Sequence, residues 1–165
     1  MVSSETIQAI QARFPSAEIT EFRKQFRVCV PREIVHDVLR FLKDECGFTL
    51  IIDITCVDYL YYPKAKDRFG VVYIVGRPEN ADRLIVKTFV NDPEPTLPTV
   101  TDLWEGARWL EREVWDMFGI RFEGHANLRR ILLPEDFQDH PLRKDYPLQG
   151  RGERHNIPVV TRDLG

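Results

Sequence analysis

Three apolar runs, "FTLIIDITCV", "FGVVYIVG" and "RLIVKTFV", fall between Phe48 and Val90. Loops rich in Pro, Lys, Asp, Glu and Asn separate them, so each run is bounded by turn chemistry and reads as a strand, the first as a buried one. Two more strands precede them, Ala17 to Phe22 and Gln25 to Val30: Phe26, Val28 and Val30 alternate, and "RKQ" makes the turn. Ser3 or Ser4 caps a short helix carrying Ile7, Ile10 and Phe14, which Pro15 ends. Pro31 opens a second helix, with Ile34, Val38, Phe41 and Leu42 at helical spacing and Gly47 as its stop. Five strands with helices on one side predict an α+β fold, a two-layer sandwich whose mixed sheet of about five strands is packed by helices. The proline-rich "NDPEPTLPT" reads as an extended connector.

That connector leads to a third helix. Asp102 with Glu105 three residues on forms a capping arrangement, and Gly119 is the left-handed stop, leaving Ile120 to pack back toward Trp115. Leu103, Ala107, Leu110, Val114 and Phe118 step onto one face, the core face, while Glu105, Arg112 and Asp116 fall on the opposite one. Trp109 projects close to the polar face, and Trp104 and Trp115 share a flank, so large rings emerge on more than one side. Either the tail folds back over them or another protein covers them, since Trp and Arg dominate interface anchors; both can hold.

Residues 121–165 follow no regular pattern. Pro134, Pro141, Pro147 and Pro158 interrupt every helix, and Leu142, Tyr146, Leu148, Ile157, Val159 and Val160 keep no period. True disorder is poorer in bulky apolar groups than this. The expectation is an α+β domain over 1–120 and an extended C-terminal arm over 121–165 that is ordered by lying on partner surfaces.

Composition narrows the chemistry. At 165 residues the chain suits one domain, and no apolar run approaches the ~18 residues a bilayer span requires. The start, "MVSSETIQAIQARF", lacks the basic opening and apolar core of a secretory signal, so a cytosolic location is the default expectation. A net charge of −3 disfavours nucleic acid. Cys29, Cys46 and Cys56 are far apart and fit no metal-site spacing; Cys29 and Cys56 read as buried filling. The serines, Ser3, Ser4 and Ser16, crowd the N-terminus, and neither a Walker loop nor a G-x-G-x-x-G turn is present. "PEDFQDH", with Glu135, Asp136, Asp139 and His140, has the residue types of a divalent-metal or acid–base site but no spacing template, and reads as a solvated turn. His36, His125 and His155 are lone histidines. The basic pairs Arg129–Arg130 and Arg143–Lys144, flanked by acids, point to protein contact. No catalytic, cofactor-binding or metal-ligating residue is assigned.

The segment from Val100 to Gly150 closely resembles the signature region of the 30 kDa subunit family of respiratory complex I, the NADH-quinone oxidoreductase. "EREVWDMFGI", "LRRIL" and "HPLRKDYPL" occur in family order and spacing, and "DITCVDYLYYP" and "RFGVVY" echo it earlier. Ala126 and Asp139 depart from it, where proline and glycine are usual. The resemblance implies a cofactor-free structural subunit in the peripheral arm of a proton-translocating complex. FMN, iron–sulfur clusters and quinone would be bound by other subunits. It further implies a place on the cytoplasmic side of the bacterial inner membrane, against the 49 kDa-type quinone-site subunit and neighbouring iron–sulfur subunits. Related ferredoxin-linked and energy-converting hydrogenase complexes carry equivalent subunits. The partner contacts expected are Trp109, Arg112, Asp116, Arg129, Arg130, His140, Pro141, Arg143, Lys144, Asp145 and Tyr146.

Overall fold

The computed structural model describes residues 2 and 4–153. Ser3, and the tail positions His155, Ile157, Pro158, Val159 and Val160, lie outside the described residues. Helix α1 (Ser4–Arg13) is followed by strands β1 (Glu18–Phe22) and β2 (Gln25–Cys29), helix α2 (Val35–Asp44), strands β3 (Leu50–Asp58), β4 (Phe69–Arg77) and β5 (Asp82–Val90), the short strand β6 (Thr96–Pro98), helix α3 (Ala107–Phe118) and strand β7 (Arg121–Glu123). The main sheet has the order β1-β2-β5-β4-β3. All its neighbours are antiparallel except β2 and β5, which run parallel with Val28 opposite Val86. The architecture is therefore the predicted α+β sandwich on a mixed five-stranded sheet.

Strand alternation decides which face the helices cover. Phe69, Val71, Tyr73 and Val75 of β4 and Leu84, Val86 and Val90 of β5 are buried in one core with Val35, Val38, Leu39 and Leu42 of α2 and Ala107, Val114 and Phe118 of α3. The intervening residues Val72, Ile74, Ile85 and Phe89 are only half-buried on the far face. Cys56 belongs to the core, and burial pushes its thiol up to about 12.

Four local expectations change. The first apolar run is not sealed on both faces: Leu50, Thr55 and Val57 are exposed. A bulge between Ile51 and Asp53 shifts the phase, so buried positions move from Ile51 to Ile54 and Cys56 and the alternation is hidden in the sequence. Helix α2 starts at Val35, because Pro31 to Ile34 close a turn instead, Ile34 N–H donating to the Pro31 carbonyl at 3.2 Å. Helix α3 starts at Ala107 behind Gly106, which supplies no side-chain cap. Asp102 is drawn off to His36 at 3.0 Å and Arg40 at 3.6 Å. Part of the connector is a strand after all: Thr96–Pro98 pairs in parallel with Arg121–Glu123, each too short to show a period.

Glu111 is the unexpected member of the core. Fully buried, it accepts the Val100 N–H at 2.7 Å on one oxygen and bonds the Thr99 hydroxyl at 2.6 Å on the other, tying α3 to the turn ahead of it. Burial, outweighing those bonds, raises its carboxyl to about 7. Because the folded pKa lies above the unfolded one, the contribution to stability is full below the ordinary carboxylate range and is lost as pH rises through about 7. Glu111→Gln keeps the shape without the charge. Thermal melts at pH 5 and pH 8 should show this variant gaining on the parent with rising pH, by roughly 1–3 kcal/mol. Parallel pH profiles would mean that Glu111 does not titrate there.

Candidate partner interface

The segment after β7 runs back along the polar stripe of α3 and covers it at Arg112 and Asp116. Asp116, fully buried, organises that return. Its Oδ2 accepts three consecutive backbone N–H groups, Ile131 at 3.0 Å, Leu132 at 2.8 Å and Leu133 at 3.0 Å. Its Oδ1 accepts Arg130 Nη1 at 2.6 Å. Burial pushes the carboxyl upward, but those four donors together outweigh it and hold its pKa below the usual range. One turn earlier Arg112, also buried, donates from Nε to the Arg129 carbonyl at 2.9 Å and from Nη2 to the Arg130 carbonyl at 2.7 Å.

The C-terminal end of α3 is shaped by what lies on it. Gly119 adopts φ +78°, and a Cβ there would stand 2.7 Å from His140 Cδ2, so both backbone hand and space require glycine. His140 Nδ1 lies 2.9 Å from the Asp116 carbonyl, an acceptor only, which fixes the proton on that nitrogen. Burial lowers the His140 pKa, and its ring meets Trp115 edge-on at 6.1 Å. The tail thus covers Trp115, whereas Trp109 remains 57% exposed. Trp104 is taken instead into the domain core, its indole N–H donating to the Thr49 carbonyl at 3.1 Å.

Beyond His140 the arm reaches the open end of the sheet. Asp58, sealed at the end of β3, accepts the Leu60 N–H at 2.9 Å, the Lys144 N–H at 2.8 Å and Arg68 Nη2 at 3.2 Å. Arg68 also pairs with Asp145 at 2.8 Å and Asp92 at 2.5 Å, and Arg143 reaches Asp92 at 2.5 Å. The guanidinium groups of Arg68 and Arg143 lie 4.7 and 4.9 Å from the Phe69 ring centroid. Tyr146 donates to Glu153 at 2.8 Å, and Pro141 is half-buried.

The residues singled out from sequence therefore separate into two groups. Arg112, Asp116, Arg130, His140, Arg143, Asp145 and Tyr146 have partners within the chain. Trp109 and the side chains of Arg129 and Lys144 face solvent, joined by Ile131, Leu132, Leu142 and Leu148. Sequence reasoning misses Asp58, Arg68 and Asp92, since nothing in "VDYLYYP" or "NDPEP" marks an acid as an anchor for a distant segment. The acids of "PEDFQDH" do not converge: Glu135 and Asp136 are exposed, and Asp139 pairs with Arg151 at 2.8 Å. Asp139 takes an ordinary negative φ, so its turn does not need the usual glycine, and Ala126 takes a negative φ, as proline would. Among the described residues no group of three His, Cys, Asp or Glu is placed to hold a metal ion, and no helix is long and apolar enough to cross a membrane.

Two substitutions probe this arrangement. Asp116→Asn should cost about 2–4 kcal/mol at pH 7, since four donors lose a charged acceptor. With its folded pKa depressed, Asp116 contributes above the unfolded value, and the gap between variant and parent closes as pH falls through the folded one. Denaturant titrations at pH 7 and pH 3 measure both. Gly119→Ala should cost at least about 2 kcal/mol, and adding His140→Ala should return the part owed to the clash while leaving the backbone strain.

A family described as "Respiratory-chain NADH dehydrogenase, 30 Kd subunit" matches residues 28–152. A subunit of NADH-quinone oxidoreductase from Geobacter sulfurreducens is 48% identical over 133 residues, 81% of each chain. A longer NADH-quinone oxidoreductase subunit, of a Sulfurihydrogenibium strain, is 45% identical over 90% of this chain, which spans only 26% of that protein. Among solved structures, "Nqo5 of the trypsin-resistant fragment (1-134)" superposes with a TM-score of 0.68 at 38% identity, covering 75% of this chain and 98% of that one. A chain of the membrane-bound sulfane sulfur reductase, an archaeal respiratory membrane complex, gives a TM-score of 0.77 at 29% identity over 96% of this chain and 92% of that one. The chain belongs to the family of the 30 kDa subunit of respiratory-chain NADH dehydrogenase.

Proposed function

We infer that the chain is a cofactor-free structural subunit in the peripheral arm of a proton-translocating NADH:quinone oxidoreductase, and that it binds and steadies the 49 kDa-type quinone-site subunit. The observation that carries this reading is the surplus of exposed apolar surface on the arm and α3. With the internal contacts of Asp116 and Asp58 complete, Trp109, Leu132, Leu142 and Leu148 still stand in solvent. The relatives from Sulfurihydrogenibium and Aquifex aeolicus, which bear the double designation C/D, carry the matching region inside a much longer chain, of which it makes up 26% and 22%. Such fusion suits two parts that work side by side, and it supports a quinone-site subunit as the partner.

In this reading residues 1–120 are the anchored domain and 121–165 the docking arm. The chain moves no electrons: FMN, the iron–sulfur clusters and quinone belong to its neighbours. Its place is peripheral, at the cytoplasmic face of the bacterial inner membrane, with the membrane reached only through the complex. Arg112, Asp116, Arg130, His140, Pro141, Arg143, Asp145 and Tyr146 set the path of the arm; Trp109, Arg129 and Lys144 meet the partner directly. The archaeal sulfane sulfur reductase likeness favours a second reading, the equivalent subunit of a ferredoxin-linked or hydrogenase-type complex.

A tagged full-length chain recovered from its own membranes in mild detergent distinguishes the two. Co-recovery of flavin and iron–sulfur subunits with NADH:quinone activity supports the first reading, and a complex inert to NADH but reduced by ferredoxin supports the second. A chain recovered alone defeats both. Reversing two exposed cations, Arg129→Glu with Lys144→Glu, should cut co-recovery about tenfold while moving the melting temperature of the free chain by only ~2 °C.

A further inference from the structure

Arg112 carries a charge that no described residue neutralises. Only 6% of the residue is exposed, yet both of its hydrogen bonds end on neutral carbonyls, those of Arg129 and Arg130. No carboxylate among the described residues lies within 4 Å of its guanidinium, and Arg112 has no further polar partner there. Buried guanidinium groups are ordinarily paired, because a charge taken from water without a counter-charge is costly. Arg68, Arg130 and Arg143 obey that rule: Arg68 has Asp58, Asp92 and Asp145; Arg130 has Asp116; Arg143 has Asp92.

The free part of the group is also the accessible part. Nε and Nη2 point inward to the carbonyls, whereas Nη1 has no hydrogen-bond partner and is not sealed from solvent. The Trp109 ring stands over the guanidinium at 5.1 Å and is itself 57% exposed. Along the chain Glu105 and Glu113 flank Trp109 one turn away on either side, but both are exposed and neither closes on Arg112. What remains is a small niche with a cationic floor and an aromatic wall, bordered by the backbone of Arg129 and Arg130.

We propose that the Trp109–Arg112 niche seats a carboxylate side chain of a partner protein, its oxygens pairing with Nη1 and its aliphatic stem lying against the Trp109 indole. The proposal rests on the assembly reading above and names the chemistry of one contact within it. A carboxylate fits better than a phosphate surface because the positive floor is a single guanidinium in a chain of net charge −3, too little cationic field to gather a polyanion. A guanidinium already fixed by two carbonyls loses little freedom on pairing, which suits an interface anchor.

The test uses the whole complex and three full-length variants. Arg112→Gln keeps donors for the two carbonyls and removes the charge; Trp109→Ala removes the wall at an exposed site. Each should weaken retention of the chain in the complex about tenfold or more, and the salt dependence of retention should flatten in Arg112→Gln alone. Arg112→Lys places an amine at the niche, and carbodiimide should then join position 112 to an Asp or Glu of a different subunit, read by peptide mass spectrometry. That cross-link decides the matter even where Arg112→Gln proves unstable. Retention unchanged in the Trp109 and Arg112 variants, or a cross-link only to a second copy of this chain or to none, overturns the niche and leaves the assembly reading standing. Failure of the unaltered chain to co-purify with any subunit overturns both.

Discussion

One carboxylate, that of Asp116, decides where the second half of the molecule goes. Three successive backbone amides and a guanidinium converge on it from a segment with no regular structure of its own. A charged acceptor in a water-poor site makes stronger bonds than a neutral one. The group lies on the stripe of α3 that would otherwise be the helix's wet face, so the bonds convert a surface into an inner layer. His140 then settles on the helix end over Gly119, and only with that turn placed can Lys144 and Asp145 meet the acids and Arg68 at the sheet end.

Two anchors of this kind account for the division of labour in the tail. Between Asp116 and Asp58 the backbone is bonded through side chains and isolated turn bonds instead of through a ladder, which is how an irregular segment lies on a folded domain. Leu128 and Leu133 of that segment pack on the core, whereas Leu132, Leu142 and Leu148 stand out in solvent. An arm held by its backbone and displaying its side chains is suited to recognition, since the ordering entropy is already spent within the chain.

The layered architecture is legible from spacing alone, because three apolar runs and two alternating ones cannot avoid forming a sheet. Gly119 is legible for a local reason: a glycine after a helical stripe answers to backbone hand, which the chain cannot relocate. Asp116 misleads for the opposite reason. Helical periodicity assigns a polar residue to the wet face, and only the later segment, through non-local bonds, makes that face interior. Asp102 has the spacing of a cap, but a histidine and an arginine on α2 claim it. Asp92 belongs to no motif and Arg68 only opens the echo "RFGVVY", which names no partner for it; their roles exist only once the arm has crossed the domain.

The parallel pairing of β2 with β5 has its own consequence for the making of the protein. Val28 leaves the ribosome 58 positions ahead of Val86, its partner across the sheet. At common rates of synthesis that is a wait of roughly three to twelve seconds. Through it the β1–β2 hairpin carries an open inner edge with a half-built apolar face, while β3, β4 and β5 then emerge as neighbours able to zip in order. The nascent hairpin is thus the stretch most exposed to wrong pairing, and Arg23, Lys24, Arg27 and Glu21 within it carry charges that blunt such encounters.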